Sequence, residues 1–127
     1  MPLTTLTLRP GRTPEEKRAL LDAVHAALVS AFGIPADDRF QFINEVPDEN
    51  WDASRPVGQI LVEIKAFAGR SLDAKRTLYK GIVENLKTCG VAPTDVFIIV
   101  NDLPRENWGI RGGQAACDLD LGFRIDV

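Results

Sequence analysis

The 127-residue sequence has one histidine, two cysteines and no CxxC pair. A catalytic triad built on histidine would have to use His25, and a metal site with several histidines is excluded. Cys89 and Cys117 lack the spacing of a zinc site, so we expect reduced thiols in a cytoplasmic protein. His25 falls on the flank of an apolar helical stripe, which favours a partly exposed surface histidine over a general base.

Excess positive charge and long apolar runs are also missing. The net charge of −3 gives no electrostatic footprint for nucleic acid or an anionic membrane, although local arginines could still bind a small anion. No apolar run approaches the roughly 20 residues of a membrane helix, and the opening MPLTTLTLRPGR does not read as a signal peptide. The length and the 45% hydrophobic content predict a single globular domain spanning residues 1–127.

The sequence does contain an internal repeat, in which one pattern occurs twice. Residues 11–51 recur at 69–108, with an offset of 58 at the first glycine and 57 from the later glycine onward. Both copies share Gly-Arg-(Thr/Ser), Lys-Arg, Gly-(Ile/Val) and Glu-Asn-Trp in the same order. Such self-similarity indicates one supersecondary unit used twice. We divide the chain into repeat one (2–51), a connector (52–59), repeat two (60–108) and a tail (109–127).

Each repeat is typical of a strand, a helix and a second strand. In repeat one, Thr13 and Glu16 can form a capping box around Pro14, and Gly33 is placed to end the helix. In repeat two, Ser71 can cap a helix that ends near Lys87. The predicted strands are 3–8, 39–45, 60–67 and 95–101.

Two βαβ units predict an α/β (α+β) fold with a four-stranded mixed sheet and two helices on one face. The tail is expected to carry a GIRGG loop at 109–113 and a short strand within 121–127. Strand 60–67 has apolar residues on both faces, with Ile60 and Ile64 on one and Leu61 and Phe67 on the other. This pattern indicates burial on both sides and hence an oligomer.

A Met-Pro start followed by a strand, a Gly-Arg-(Thr/Ser) turn and a doubled βαβ unit resembles the tautomerase superfamily over essentially the whole chain. Residues 33–41 (GIPADDRFQ) and 108–110 (WGI) resemble its malonate semialdehyde decarboxylase branch. The resemblance implies a homotrimer, a small carboxylate substrate and no cofactor. It also implies that Met1 is removed, which would leave Pro2 as an N-terminal secondary amine and candidate acid or base.

The chemistry of such an amine is sound on general grounds. An α-amino group has a reference pKa of about 7.7–8.0, and burial or nearby cations would lower it toward neutrality. Repeat two has Ile60 at the position of Pro2, so each chain offers one such amine. A Met-Pro start alone would not indicate a catalytic amine. Here it is accompanied by the duplicated βαβ unit, which favours that interpretation.

The resemblance also assigns roles to other residues. Arg70 matches a catalytic arginine that holds a carboxylate or polarises a carbonyl, and Asp38 matches an acidic residue near the amine. Trp108 and Ile110 match an apolar wall. Arg111 has no counterpart in repeat one and is a candidate second anion contact.

Structural roles compete with some of these assignments, because Asp95 repeats Asp38, Trp51 repeats Trp108 and Arg12 repeats Arg70. One departure matters for the reaction. The decarboxylase branch has another arginine at the place of Ala68, and its absence weighs against efficient decarboxylation. A dehalogenase-type relative has a histidine at the place of Val29. Dehalogenation is therefore disfavoured.

Three functions remain open. The first is keto–enol tautomerisation of small 2-oxo or enol carboxylic acids. The second is decarboxylation or hydration of the malonate semialdehyde type at the same site. The third is a non-enzymatic trimeric binding protein in the same scaffold.

Overall fold

The structure is a computed structural model that describes residues 2–53 and 58–127. The two repeats form strands β1 (Leu3–Leu8), β2 (Phe40–Glu45), β3 (Ile60–Phe67) and β4 (Val96–Leu103), with helices α1 (Pro14–Phe32) and α2 (Leu72–Thr88). The tail adds two short strands, β5 (Gly109–Ile110) and β6 (Gln114–Ala115). Part of the predicted connector, residues 54–57, lies outside the described residues.

Local sequence signals set the helix ends as predicted. The Thr13 side chain accepts a hydrogen bond from the Glu16 N–H, and the Glu16 side chain accepts one from the Thr13 N–H, which completes the capping box. Gly33 ends α1 in the left-handed region, with φ 66°. The Ser71 side chain caps α2 by accepting from the Ala74 N–H.

The four long strands form one mixed sheet in the order β2-β1-β3-β4. Each repeat pairs its own strands in parallel, and the two repeats meet through the antiparallel pair β1–β3. In that pair Leu3 lies opposite Lys65 and Thr7 lies opposite Leu61. The turn that follows β3 therefore lies at the end of the sheet where β1 begins, and the turn that follows β1 lies where β3 begins.

Equivalent contacts in the two repeats show the internal symmetry. Lys17 forms an ion pair with Glu45, and its counterpart Lys75 forms one with Asp102, so each helix is linked to the second strand of its own repeat. The indole N–H of each repeated tryptophan donates to the carbonyl oxygen five residues earlier. The duplication in the sequence is thus a duplication of tertiary contacts.

Both helices cover the same face of the sheet. Ile60, Val62 and Ile64 on β3 point into the core with Leu6 and Leu8 of β1, all of them fully buried. The other face carries the alternate residues, and it leaves large apolar side chains exposed at both edges of the sheet: Phe40, Phe42, Phe97 and Ile99, which are 43–66% exposed. Phe67, predicted to be buried on this face, is completely buried, and Leu61 is half-buried.

The tail differs from the prediction. No strand forms within residues 121–127, and the predicted GIRGG loop instead contains β5, which pairs with β6 across a turn at residues 111–113. The end of the tail runs along the turn between β3 and α2, where the Val127 carbonyl accepts a hydrogen bond from the Ser71 N–H. The alternating apolar residues of 121–127 therefore pack on the domain without any strand partner.

Within the described ranges, no helix is long and apolar enough to cross a membrane. Cys89 and Cys117 are both free thiols, as expected from their spacing.

Candidate active site

A cavity of about 290 Å³ opens at the end of the sheet where β1 begins and β3 ends. Its walls come from three parts of the chain, namely the loop before β2, the end of β3 and the tail. They include three of the predicted site residues, Asp38, Ile110 and Arg111. The other wall residues are Pro35, Asp37, Phe67, Leu121 and Phe123. Pro2, Arg70 and Trp108 do not line this cavity but lie close to it.

Asp38 reaches the cavity from a tight turn, in which the Asp38 N–H donates to the Pro35 carbonyl at 3.0 Å. His25 fixes this turn from behind, because its Nε2 lies 2.7 Å from the Ala36 carbonyl oxygen. The expectation of a partly exposed histidine is wrong, since His25 is only 7% exposed. A polar ring is tolerated there because it has a backbone partner.

Arg70 lies behind the Phe67 wall and is 6% exposed. Its Nη1 donates to the Phe67 carbonyl at 3.0 Å, and its guanidinium lies 4.8 Å from the centre of the Phe32 ring. Burial lowers the pKa of Arg70, while the nearby Asp102 and Asp38 carboxylates oppose that shift. Arg70 therefore places a buried positive charge next to the Phe67 wall and within electrostatic reach of Asp38.

An aromatic pair supports the cavity wall. Trp108 meets Phe67 edge to face, with ring centroids 4.9 Å apart and planes at 68°. The Trp108 carbonyl accepts from the Ala116 N–H, which joins the tryptophan to the β5–β6 hairpin. Trp108 thus backs Phe67, while Ile110 of the same hairpin faces the cavity directly.

Arg111 occupies the turn of the hairpin and is the one non-glycine residue with positive φ, 49°, within residues 2–53 and 58–127. Its carbonyl accepts from Gln114 Nε2 at 2.9 Å, and its Nη1 donates to the Asp120 carbonyl at 3.2 Å. Left-handed backbone at a non-glycine residue is strained, and such strain is concentrated at functional sites. The guanidinium of Arg111 is thereby held on the cavity wall.

Pro2 is buried and directly precedes Leu3, which pairs with Phe40 on one side and Lys65 on the other. It therefore lies at the same end of the sheet as Asp38 and Phe67. Met1 is outside the described residues. Neither Phe67 nor the tail residues Leu121 and Phe123 were predicted as site residues. For the two tail residues, the signal that could have found them is that the tail has no counterpart in repeat one.

No group of three or more His, Cys, Asp or Glu residues is arranged to hold a metal ion in the described part of the chain. Two sequence-family profiles, each described as "Tautomerase enzyme", match residues 2–53 and 52–111. The crystal structure of FG41 malonate semialdehyde decarboxylase inhibited by 3-bromopropiolate is 32% identical. That similarity covers 89% of this chain and 92% of the other, with a TM-score of 0.80. The chain belongs to the tautomerase superfamily.

Two further relatives of this tautomerase-superfamily protein span almost its whole length. The probable tautomerase YrdN of Bacillus subtilis (strain 168) is 28% identical over 123 residues, covering 91% of this chain and 95% of the relative. The Q0 fused 4-OT, whose structure is a symmetric trimer, is 26% identical with a TM-score of 0.82, covering 91% of this chain and 96% of the other. The doubled unit and the mixed sheet are thus those of fused tautomerases.

The opposite end of the sheet differs in this tautomerase-superfamily chain. There the Arg9 guanidinium stacks 5.1 Å from the Trp51 ring centre, whereas at the first end Phe67 packs on Trp108. Ile60, at the position of Pro2, is completely buried inside the chain. Asp95, the counterpart of Asp38, lies against Gly58. A Cβ atom added to that glycine would be only 2.7 Å from Asp95 Oδ2. Repeat two therefore offers a carboxylate at the corresponding place without an amine.

Proposed function

We propose that the protein is a cofactor-independent tautomerase that interconverts the keto and enol forms of small 2-oxo or enol carboxylic acids. The observation that carries the proposal is the cavity that Asp38, Ile110 and Arg111 line at the Pro2 end of the sheet. It combines a carboxylate, a cation and an apolar wall at the end of the sheet where β1 begins. In this proposal Met1 is removed, and the Pro2 amine then faces the cavity.

The internal symmetry supports a position for Asp38 beside that amine. In repeat two, Asp95 packs against the backbone at Gly58, two residues before Ile60. Because Ile60 corresponds to Pro2, the same carboxylate in repeat one would face the start of the chain. A carboxylate there stabilises the ammonium group that forms when the Pro2 amine accepts a proton from the substrate.

The proposed reaction needs only proton transfer. Arg111 binds the substrate carboxylate, since a guanidinium can donate two parallel hydrogen bonds to it. The neutral Pro2 amine accepts the enol proton, and the resulting ammonium delivers a proton to the substrate carbon, which leaves the amine neutral again. The buried Arg70 stabilises the negative charge that develops between these two steps. Ile110 and the Phe67–Trp108 pair limit water at the reacting atoms.

The proposal is tested with Pro2→Ala and the control Pro10→Ala, which changes the other proline near the start of the chain. Ketonisation of a small enol acid is followed by ultraviolet absorbance, with circular dichroism and size-exclusion chromatography to check fold and assembly. We expect kcat/KM to fall by about 10²–10⁴-fold in Pro2→Ala, the usual contribution of a general acid or base, and to stay unchanged in Pro10→Ala. Unchanged kcat/KM in a folded Pro2→Ala protein would refute the catalytic role.

Decarboxylation or hydration of the malonate semialdehyde type is the second candidate. The 32% identity to FG41 malonate semialdehyde decarboxylase and the presence of Asp38 on the cavity wall favour it. In that reaction Pro2 would act as a cation that polarises the substrate carbonyl, with Asp38 maintaining its charge. The pKa of Pro2 separates the two reactions, because a base requires a pKa near neutrality and a cationic acid requires one well above 8.

We also propose that the protein is a homotrimer. The uncovered sheet face exposes Phe40, Phe42, Phe97 and Ile99, an apolar surface that a monomer would leave in water. The Q0 fused 4-OT, which has the same sheet, is a symmetric trimer. Packing three such faces together would bury these side chains.

A further inference from the structure

Asp102, near the end of β4, brings a second carboxylate to the end of the sheet where Pro2 lies. It pairs with Ala66 in the β3–β4 register, and the antiparallel register of β1 and β3 puts Pro2 at the level of Ala66. The Asp102 side chain points toward the helices, where Lys75 of α2 donates a hydrogen bond to Oδ2. Its other oxygen, Oδ1, is buried and has no hydrogen-bond partner among the residues that the structure describes.

Arg70 has the complementary deficit. Its Nη1 donates to the Phe67 carbonyl, but its Nε is buried without a hydrogen-bond partner within residues 2–53 and 58–127. Burial lowers the pKa of Arg70, and the attraction of Asp102 opposes that shift more strongly than the attraction of Asp38 does. A cation taken out of water needs a counter-charge. Asp102 is therefore the main counter-charge of this guanidinium.

Repeat one shows that such a buried arginine is not a general consequence of the fold. Glu45, the counterpart of Asp102, forms the equivalent ion pair with Lys17. Arg12, the counterpart of Arg70, is however only half-buried, whereas Arg70 is 6% exposed. The two ends of the sheet thus share the ion pair between helix and strand, and they differ in the burial of the arginine.

Two substitutions between the repeats account for this difference. The β-strand residue that pairs with the carboxylate is the fully buried Leu8 at one end and Ala66 at the other. The methyl group of Ala66 leaves room that the larger leucine side chain fills. Phe32 supplies the ring that the Arg70 guanidinium contacts at 4.8 Å, and Cys89 occupies the corresponding place in repeat two. A buried site for a guanidinium is therefore built at one end only.

We propose that Asp102 is a positioning residue for the tautomerase reaction: its carboxylate holds the buried Arg70 guanidinium in place as its counter-charge, and Lys75 in turn holds that carboxylate. This inference rests on the proposed function, in which Arg70 stabilises the negative charge that develops on the substrate. Asp102 does not line the cavity, so it acts through Arg70 and not on the substrate. The electrostatic support of the site thereby extends to α2.

The test compares Asp102→Asn with Glu45→Gln, which removes the carboxylate from the equivalent ion pair. The side chains of both ion pairs are 22–32% exposed, so the two variants lose a comparable contact between helix and strand. Ketonisation of phenylenolpyruvate is followed by ultraviolet absorbance. In Asp102→Asn we expect kcat to fall about tenfold or more with little change in KM, because Arg70 acts on charge that develops only in the transition state.

Two controls bracket this result. Glu45→Gln should keep the wild-type kcat, because its ion pair lies at the end of the sheet without the amine. Asp102→Glu, which introduces the residue that repeat one has at this position, should keep most of the wild-type kcat because it retains the carboxylate.

A double variant shows whether Asp102 acts through Arg70. Because Arg70→Met removes the cation, adding Asp102→Asn to it should slow the reaction no further. In urea denaturation, Asp102→Asn should lower the midpoint more than Glu45→Gln does, since it leaves a buried cation without its counter-charge. The double variant should recover part of that shift. If Asp102→Asn alone does not fold, the double variant should regain the fold for the same reason.

The outcomes separate the inference from the proposed function. An unchanged kcat in a folded Asp102→Asn protein, or an equal loss in Glu45→Gln, overturns the positioning role. A double variant that is slower than Arg70→Met, or less stable than both single variants, overturns it as well. Absence of ketonisation by the wild-type protein overturns the proposed function. The urea midpoints of the same variants then still decide whether Asp102 stabilises the Arg70 cation.

Discussion

His25 Nε2 lies 2.7 Å from the carbonyl oxygen of Ala36, and this contact ties α1 to the turn that carries Asp38. A carbonyl oxygen is only an acceptor, so Nε2 carries the hydrogen and donates it. His25 is the single histidine of the sequence. It holds the turn that carries Asp38 and does not line the cavity. The relationship joins the longest helix to the loop on which the proposed chemistry depends.

His25→Phe should therefore lower both stability and activity. The variant keeps a ring of similar shape but leaves the Ala36 carbonyl without its donor, at a cost of about 1–3 kcal/mol in the free energy of unfolding. We expect kcat/KM to fall as well, because the Asp38 turn loses its anchor. Urea denaturation and ketonisation rates measure the two effects. His25→Gln, which can still donate, should recover part of both; equal losses in the two variants would contradict the hydrogen-bonding role.

Replacing Arg70 with methionine should distinguish it from its repeat counterpart. Arg70→Met removes the buried cation near Asp38, and we expect kcat/KM to fall by at least about 10²-fold, as when one preorganised electrostatic contact is lost. Arg12→Met makes the same exchange in the turn after β1, at the end of the sheet with Ile60 in place of the amine. Steady-state kinetics should show little change there. Equal decreases in kcat/KM in the two variants would contradict the proposal that only the Arg70 turn, at the Pro2 end of the sheet, serves the active site.

Two substitutions of Arg111 separate the effect of its guanidinium on substrate binding from the effect of its backbone strain on stability. Arg111→Ala and Arg111→Gly both remove the guanidinium, so both should raise KM by about tenfold or more. They differ in the backbone, because φ 49° is easy for glycine and strained for alanine. The glycine variant should be more stable than the alanine variant by about 1 kcal/mol in chemical denaturation. A more stable alanine variant would show that the turn is not strained.

The exposed sheet face makes a prediction about assembly. Phe97→Lys puts a charge on that face and should convert the proposed trimer to smaller species in size-exclusion chromatography with light scattering. Leu72→Lys changes a residue that is similarly exposed, at 58%, but lies at the start of α2. It should leave the assembly unchanged. A wild-type monomer, or a Phe97→Lys variant with the wild-type mass, would contradict the role of this face.

Stability in mild acid should depend on the capping box. The hydrogen bonds from Thr13 lower the pKa of Glu16 below its ordinary value of 4.5. A lowered pKa in the folded state means that the contribution is complete above pH 4.5 and is lost as the pH falls below it through the folded-state value. Glu16→Gln should therefore lose stability at neutral pH and show a smaller decrease between pH 5 and pH 3. Parallel pH profiles from urea denaturation would argue against the box.

The sequence predicted the elements whose signals are local. The Thr13 capping box, the Gly33 end of α1 and β3 at residues 60–67 all follow from neighbouring residues, and the structure confirms them. A mixed sheet was predicted, but spacing alone does not set which strands of the two units pair, and the structure shows that they meet through the antiparallel pair β1–β3. Asp38, Ile110 and Arg111, which were expected as site residues, line one cavity.

The path of the tail and the burial of Arg70 depend on tertiary contacts, which the periodicity of the sequence does not predict. Leu121 and Phe123 alternate with polar residues as a strand would, but no partner strand is in reach, and they line the cavity instead. Arg70 was expected to contact the substrate; its guanidinium donates to the Phe67 carbonyl, and the neighbouring Ser71 N–H donates to Val127 at the end of the tail. His25 was misjudged for the same reason, since its partner Ala36 lies 11 residues away.

The proposed chemistry requires that Pro2 carries a free, reactive amine beside this cavity. An intact-mass spectrum after incubation with 3-bromopropiolate, followed by peptide mapping, tests it most directly. We expect a protein that lacks Met1 and gains one adduct, located on Pro2, with loss of ketonisation activity in proportion to the labelling. A protein that retains Met1, or an adduct located elsewhere while Pro2 stays unmodified, would contradict it.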